Sequence, residues 1–467
     1  MVAFHGDESE WISDGIKAAN LIMKGDFSNI FWFSGPDWYQ APVPKYILGF
    51  WLRIFGISSG EWRYWPGLPA SRGNFSIPPQ TVLGLARIPA AIFGALTCAL
   101  TFFVGKHLAA KSVGIFSSLL LLSEPLFLLS SRRAMADTPA LFFGVLGVYI
   151  YIYWHQQGKY SRYSWFWVTL LGGELAVAVA TKYSFFTLII LILSIELIIL
   201  ARHIWKSQRI TLGRIFKHLI LFLVSFILVS VIVNPYLWPS PIAQILRLIK
   251  AWGSTEVAVW WTFPSISATG ATFIAGLFNS IFFPLFMGLT IGDAAFTWQF
   301  PGTYSTISIS IFFFIGLATL FRLRHRGFGF SFALLSMWLA TYFVFLSLSL
   351  RAYFDRYFLP LLPGLSIIAA IGLQRVLRIC RSGIERIIVV ALTIILSVWA
   401  SLSVYKSIWG GTAPTTGNFP QFATMQDSLS NPYVIILALF YLVMIAYLIG
   451  FDRGQNGICK PASARSI

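Results

Sequence analysis

Charge is what this sequence has least of. Asp, Glu, Lys and Arg make up 11% of its 467 residues, less than half of the roughly 25% usual in soluble domains. An ordinary water-soluble globular protein is thereby excluded. Cysteine is almost missing too. Cys98, Cys380 and Cys459 stand far apart and offer neither a disulfide framework nor a metal-ligand spacing. No internal repeat or low-complexity tract is evident. Acidic residues number 17 against 34 basic ones, which leaves a net charge of +17. Such an excess suits nucleic acid when it is gathered on one face. Here Lys and Arg are spread through short loops between apolar runs, the pattern that orients a membrane protein, so nucleic acid is not expected as a partner.

What the chain has in quantity is apolar sequence, 57% of its residues. Runs long enough to cross a hydrocarbon core of about 30 Å fall near 87–104, 113–130, 138–154, 165–180, 183–201, 218–234, 306–321, 329–349, 357–373, 387–405 and 433–450. The expectation is an all-α polytopic membrane protein with about 11 transmembrane helices. Residues 1–86 read as a polar, aromatic-rich first loop and 87–234 as a first membrane bundle. Residues 235–305 read as a long connection, 306–450 as a second bundle and 451–467 as a cytoplasmic tail. The basic loops 202–217, 322–328 and 374–386 all become cytoplasmic, and 1–86 extracytoplasmic, if the run 273–291 does not complete a crossing. Asn279 and Pro284 in its middle favour an interfacial or re-entrant segment.

In so sparse a field of charge, the adjacent acids Asp7 and Glu8 stand out. Behind them Trp11, Ile12, Ile16, Ala19, Ile22 and Met23 share one helical face, with Ser13, Asp14, Lys17, Asn20 and Lys24 opposite. That pattern predicts an amphipathic helix lying in the membrane interface. A second amphipathic stretch, Tyr46 to Phe55, follows the rigid turn at Pro42 and Pro44. Helix-start carboxylates are also common for structural reasons alone.

Three short outer turns carry charge that lipid would not tolerate unpaired. They are Ser131-Arg132-Arg133-Ala134-Met135-Ala136-Asp137-Thr138-Pro139, Thr181-Lys182-Tyr183, and Arg351 to Pro360 with Asp355, Arg356 and Tyr357. All are expected on the side of Asp7 and Glu8. Carboxylates and fixed cations gathered there suit group transfer from a lipid phosphate: a carboxylate takes a proton from a hydroxyl, and cations stabilise the departing phosphate. One of Arg132 and Arg133 is expected to reach lipid headgroups instead. Asp137, just ahead of Thr138-Pro139, also fits a plain helix start. Glu124, Glu174 and Glu196 fall within spans and have no assigned part.

Over most of its length the chain resembles the polytopic glycosyltransferases of the GT-C fold, near the protein O-mannosyltransferases and the lipid A aminoarabinose transferases. Asp7-Glu8 before an amphipathic helix looks like the family's acidic motif, and Pro42-Val43-Pro44-Lys45-Tyr46 its proline-rich segment, although Gln40-Ala41 stand where a histidine and proline often occur. Arg87-Ile88-Pro89-Ala90-Ala91-Ile92-Phe93-Gly94 is similar to its next span, and Arg133 to Pro139 to its second acidic turn. Thr181-Lys182-Tyr183 and Arg356-Tyr357-Phe358-Leu359-Pro360 resemble its later signatures. The resemblance implies a polyprenyl-phosphate sugar as donor and a hydroxyl acceptor on protein, lipid or glycan. Asp7 would be the base, with Glu8 and Asp137 positioning acceptor or water. Arg132 or Arg133, Lys182, Arg356 and Tyr357 would bind the donor phosphate. A divalent metal ion, where one is used, falls to Asp7 and Glu8. The family also has a membrane helix ahead of its acidic motif, so a further span upstream of Phe4 is expected. The readings from other classes are a transporter or flippase of a lipid-linked or anionic substrate, and an inactive binding subunit.

Overall fold

The structure is a computed structural model, and it describes residues 6–34, 40–62, 77–158, 162–205, 212–250, 307–324, 328–349 and 355–395. Every regular element among them is helical. The helices are α1 (Gly6–Lys24), α2 (Phe31–Ser34), α3 (Val43–Ile54), α4 (Gln80–Leu108), α5 (Lys111–Leu122), α6 (Pro125–Ser130), α7 (Asp137–Tyr153), α8 (Ser164–Thr181), α9 (Phe186–Trp205) and α10 (Leu212–Val233). They continue as α11 (241–250), α12 (Ile307–Leu323), α13 (Gly329–Ser349), α14 (Leu362–Ile379) and α15 (383–395). The run 273–291, the span 433–450, the tail 451–467 and Cys459 lie outside the described residues.

Five of the described helical stretches are long and apolar enough to cross a membrane: Gln80–Leu108, Ser164–Thr181, Tyr183–Ala201, Ile215–Val233 and Phe358–Ile379. The chain is a multi-pass membrane protein. One expected span is not continuous. The run 113–130 breaks at Ser123-Glu124-Pro125 into α5 and α6. Pro125 cannot donate the next hydrogen bond of the ladder, and the 12 residues of α5 span only about 18 Å. The span expected at 87–104 is longer than its apolar core and runs from Gln80 to Leu108, with Pro89 inside it.

The chain divides into two compact units. Unit 1 comprises Met1–Leu100 and Leu129–Val257, and unit 2 comprises Thr101–Leu128 and Ala258–Ile467. Unit 1 holds the first loop. There α1 ends at Gly25, whose φ of 68° is the left-handed value that glycine adopts without strain. The Asp26 amide then closes back on the Leu21 carbonyl at 2.9 Å, a helix-stop arrangement. Helices α1 and α3 cross backbone to backbone: a Cβ built on Gly49 would stand 1.9 Å from the Gly15 carbonyl oxygen. Trp11, Ile12, Ile16, Leu48, Leu52, Val82, Ala86 and the 134–136 turn form one buried cluster around this crossing.

The amphipathic reading of α1 needs correction on its polar face. Ser13 and Asp14, expected on a solvated side, are buried at 5% and 1% exposure. Close approach of α3 is the cause. It sets Lys45 Nζ 2.9 Å from Asp14 Oδ2, a pair almost closed to solvent. Ser13 Oγ donates to the Trp62 carbonyl at 2.8 Å and accepts from the Trp62 amide at 2.7 Å. Ser13 and Asp14 are thus satisfied by protein, while Lys17 and Lys24 on the same side are exposed.

In unit 2, α12 and α14 cross equally closely. A Cβ on Gly316 would meet the Ile368 carbonyl oxygen at 1.8 Å, and one on Gly372 the Phe312 carbonyl oxygen at 2.0 Å. Helix α14 is the most enclosed of the five spanning stretches, with buried residues from Leu362 to Leu373 without a break. It packs on α5, where Gln374 Nε2 donates to Ser112 Oγ.

Candidate functional site

Glu8 sits in the first turn of α1 with none of its surface exposed. Arg87, one turn past the start of the enclosed part of α4, grips both of its oxygens. Nε and Nη2 donate to Oε2 at 3.1 and 2.8 Å, and Nη2 also reaches Oε1 at 3.1 Å. The Ala134 amide donates to the same carboxylate, and the Arg133 charge acts on it. Burial lifts the Glu8 carboxyl above its ordinary value of 4.5, while Arg87, Arg133 and Ala134 pull it back. Glu8 therefore ties together the start of α1, α4 and the 131–137 turn. Asp7, one residue earlier and about 100° round the helix, is half-buried.

The 131–137 turn separates its two arginines. Arg132 is exposed and Arg133 half-buried toward Glu8. Gly94 makes the close approach of α4 to this turn possible, since a Cβ there would lie 2.6 Å from Ser131 Oγ. Asp137 begins α7, with Pro139 in its first turn, where the missing amide hydrogen costs nothing. Its Oδ1 meets Lys182 Nζ at 2.5 Å; the two side chains are 7% and 18% exposed. Lys182 lies at the break after α8, in extended backbone with φ −158° and ψ 119°, so its side chain leaves the helix axis and reaches across to α7. Asp137 and Lys182, expected to serve acceptor and donor separately, are thus brought together as an ion pair.

Next to Lys182, Tyr183 hydrogen-bonds Asn234. The Tyr46 hydroxyl of α3 donates to the Val233 carbonyl at 3.0 Å, and burial, then the neighbouring Tyr183, raises its phenol above the ordinary value of 10.0. Tyr46, Tyr183 and Arg87 stand within the motifs that carry the resemblance, but the sequence assigns none of them a role in the site. Arg87 had a usable signal: a cation inside an apolar run ordinarily has a specific partner. For the tyrosines the motifs gave no role, because aromatic residues are common throughout this chain.

Arg356 lies in the turn Asp355–Leu361 of unit 2 together with Tyr357. The side chains of both lie outside the described residues. Of the acids within spans, Glu196 accepts from the Tyr151 hydroxyl at 3.0 Å, and Glu174 Oε1 is buried with no hydrogen-bond partner. Among the described residues no group of three or more His, Cys, Asp or Glu is placed to hold a metal ion. Both Glu8 oxygens are already engaged by Arg87, so the Asp7–Glu8 pair does not fit a chelating site in this arrangement.

Residues 69–237 match the family described as dolichyl-phosphate-mannose-protein mannosyltransferase. Protein O-mannosyl-transferase 1 of Mus musculus is 27% identical over 152 residues, which are 31% of this chain and 20% of that protein. The matched stretch is thus about a fifth of that relative's length. Two solved structures share the fold across nearly the whole chain. ArnT from Cupriavidus metallidurans bound to undecaprenyl phosphate aligns with a TM-score of 0.50 at 14% identity, covering 96% of this chain and 67% of ArnT. The archaeal oligosaccharyltransferase AglB from Archaeoglobus fulgidus, in complex with an inhibitory peptide and a dolichol-phosphate, aligns with a TM-score of 0.51 at 13% identity, covering 94% of this chain and 56% of AglB. The chain has the fold of the polytopic GT-C glycosyltransferases, and over residues 69–237 it resembles the dolichyl-phosphate-mannose-protein mannosyltransferases.

Proposed function

We propose that the protein transfers a sugar from a polyprenyl-phosphate donor to a hydroxyl acceptor on protein, lipid or glycan, at the extracytoplasmic face of a cell membrane. The observation that carries this reading is the assembly, within unit 1, of Glu8, Arg133 and the Asp137–Lys182 pair on the two ends of one short turn. That turn also lies inside the stretch that matches the mannosyltransferase family.

Asp7 takes the proton of the acceptor hydroxyl, and the oxygen attacks the anomeric carbon from the side opposite the phosphate. The anomeric C–O bond breaks, and its electron pair leaves on the polyprenyl phosphate, so the product has inverted configuration. Lys182 and Arg133 stabilise the phosphate as it departs. Glu8 is spoken for by Arg87 and acts by holding the start of α1, and with it Asp7, in place. Because phosphate is a good leaving group, no strong general acid is required. Asp137 releases Lys182 to the phosphate as the anomeric C–O bond breaks, since the phosphodiester donor, with one negative charge, becomes a departing phosphate monoester whose second charge competes for the same ammonium.

The test is transfer of a labelled sugar from polyprenyl phosphate to a hydroxyl acceptor, with the full chain in liposomes. Transfer that needs both the lipid donor and Asp7 supports the reading. Movement of the intact lipid-linked sugar across the bilayer without transfer to any acceptor would replace it by a transporter.

A further inference from the structure

Unit 2 carries a second concentration of charge, at the end where α12 and α14 finish. Three connections meet there. The Ser331 hydroxyl at the start of α13 donates to the Leu108 carbonyl at the end of α4, at 2.7 Å. Gln374 near the end of α14 bonds Ser112 at the start of α5. These two contacts bring together Lys111, Arg322, Arg324, Arg375, Arg378 and Arg381. Lys111, Arg322, Arg378 and Arg381 are exposed, and Arg324 and Arg375 are half-buried.

Among the described residues acid is scarce at this end. The described acids of unit 2 are Glu124, Asp355 and Glu385. Glu124 follows the far end of α5 from Lys111, and Asp355 precedes the far end of α14 from Arg378. Glu385 remains, and its Oε2 accepts the Arg381 backbone amide at 2.8 Å. The bias that orients membrane helices asks for cations in such loops, but it does not ask for three loops to be joined so that their cations share one surface. Helix C-termini stabilise cations singly; six around one acid leave a net positive surface.

Apolar surface borders it. Phe321 is 53% exposed, with the Arg324 guanidinium 3.5 Å above its ring, and Ile384, Ile387 and Ile388 on α15 are 71%, 69% and 50% exposed. The basic surface thus continues directly into side chains suited to acyl chains. We propose that this end of unit 2 is a binding site for the phosphate headgroup of an anionic phospholipid, held between Lys111, Arg322 and Arg378 with its acyl chains along Phe321 and α15. None of these residues is among those proposed to hold the donor.

The experiment uses the full chain, purified in detergent and exposed to equimolar dioleoylphosphatidylglycerol and dioleoylphosphatidylcholine. Retained lipid is counted by native mass spectrometry. The wild-type chain retains phosphatidylglycerol preferentially, and the Lys111→Gln/Arg322→Gln/Arg378→Gln variant loses the preference by about fivefold per cation removed. Arg322→Lys/Arg378→Lys keeps most of it. Excess inorganic phosphate does not displace the lipid. Equal retention of the two lipids by the wild-type chain would overturn the proposal whether or not any variant folds. So would an unchanged preference in the triple variant, or displacement by inorganic phosphate alone.

Discussion

Glu8 and Asp137 each face a cation within unit 1, but the two pairs are built differently. Glu8 is shut away from solvent under a planar guanidinium that grips both its oxygens, and a backbone amide is added. Asp137 meets a single ammonium that is 18% exposed. A forked, desolvated contact is expensive to separate and fixes geometry. A one-point contact to a flexible lysine can be exchanged for another anion. The first pair therefore behaves as a fastening, and the second, under the proposed function, as a counter-ion that the donor phosphate would displace.

The largest expected effect concerns the acid outside both pairs. Asp7→Asn keeps shape and volume while removing the base, so turnover should fall by about 10²–10⁴-fold, with donor binding unchanged in a direct lipid-phosphate binding assay. Full activity in this variant would move the role of base to Asp137.

Breaking the fastening comes next. Arg87→Ala leaves Glu8 buried without its partner and should destabilise the protein by about 3–5 kcal/mol, read as the loss of unfolding free energy in detergent. Arg87→Lys should recover only part of this, because an ammonium cannot reproduce the fork. If Lys182→Ala proved as destabilising as Arg87→Ala, the distinction between the two pairs would fail.

The exchangeable pair gives a prediction of opposite sign for each partner. Lys182→Ala should weaken polyprenyl-phosphate binding by about tenfold, the worth of one charge-assisted hydrogen bond. Asp137→Asn should leave that binding intact or tighten it, since Lys182 then has one competitor fewer. Titration of the free lipid phosphate into each variant checks both. Weaker binding in Asp137→Asn would contradict the exchange.

The smallest effect is in pH. Because burial outweighs its partners, the Glu8 carboxyl titrates above 4.5 in the folded chain, so the folded state binds more protons than the unfolded one between those two values. Its contribution to stability is complete below 4.5, declines as pH rises toward the raised value and is flat beyond it. Thermal melts of wild type and Glu8→Gln across that range should differ in slope, with the wild type falling more steeply.

Much of this arrangement was readable from residues alone. Scarce charge and recurring apolar runs gave the all-helical membrane fold, and Asp137 before Thr138-Pro139 marked the start of α7. Lys182 was marked by its wholly apolar flanks. What local pattern misses is who faces whom across long separations. Arg87 lies 79 residues from Glu8 and Lys182 lies 45 from Asp137, and no periodicity encodes either pairing. The face of α1 was misjudged for a similar reason. Ser13 and Asp14 look solvated on a helical wheel, and only the glycine pair that admits α3 buries them. The break in 113–130 is marked by Glu124-Pro125, but the flanking leucines dominate its hydropathy and make the run look continuous.

The crossing at Gly15 and Gly49 has a mechanical consequence. With no side chain between the two backbones, α1 and α3 can neither slide nor roll past one another without collision, and the enclosed Asp14–Lys45 pair pins them again one turn away. The two helices move as a single stiff lever. One arm ends at Asp7, and the other is hooked by the Tyr46 hydroxyl to the Val233 carbonyl at the end of α10. Under the proposed function, an acceptor that nudged the start of α1 would therefore tug on the last turn of a membrane-spanning helix.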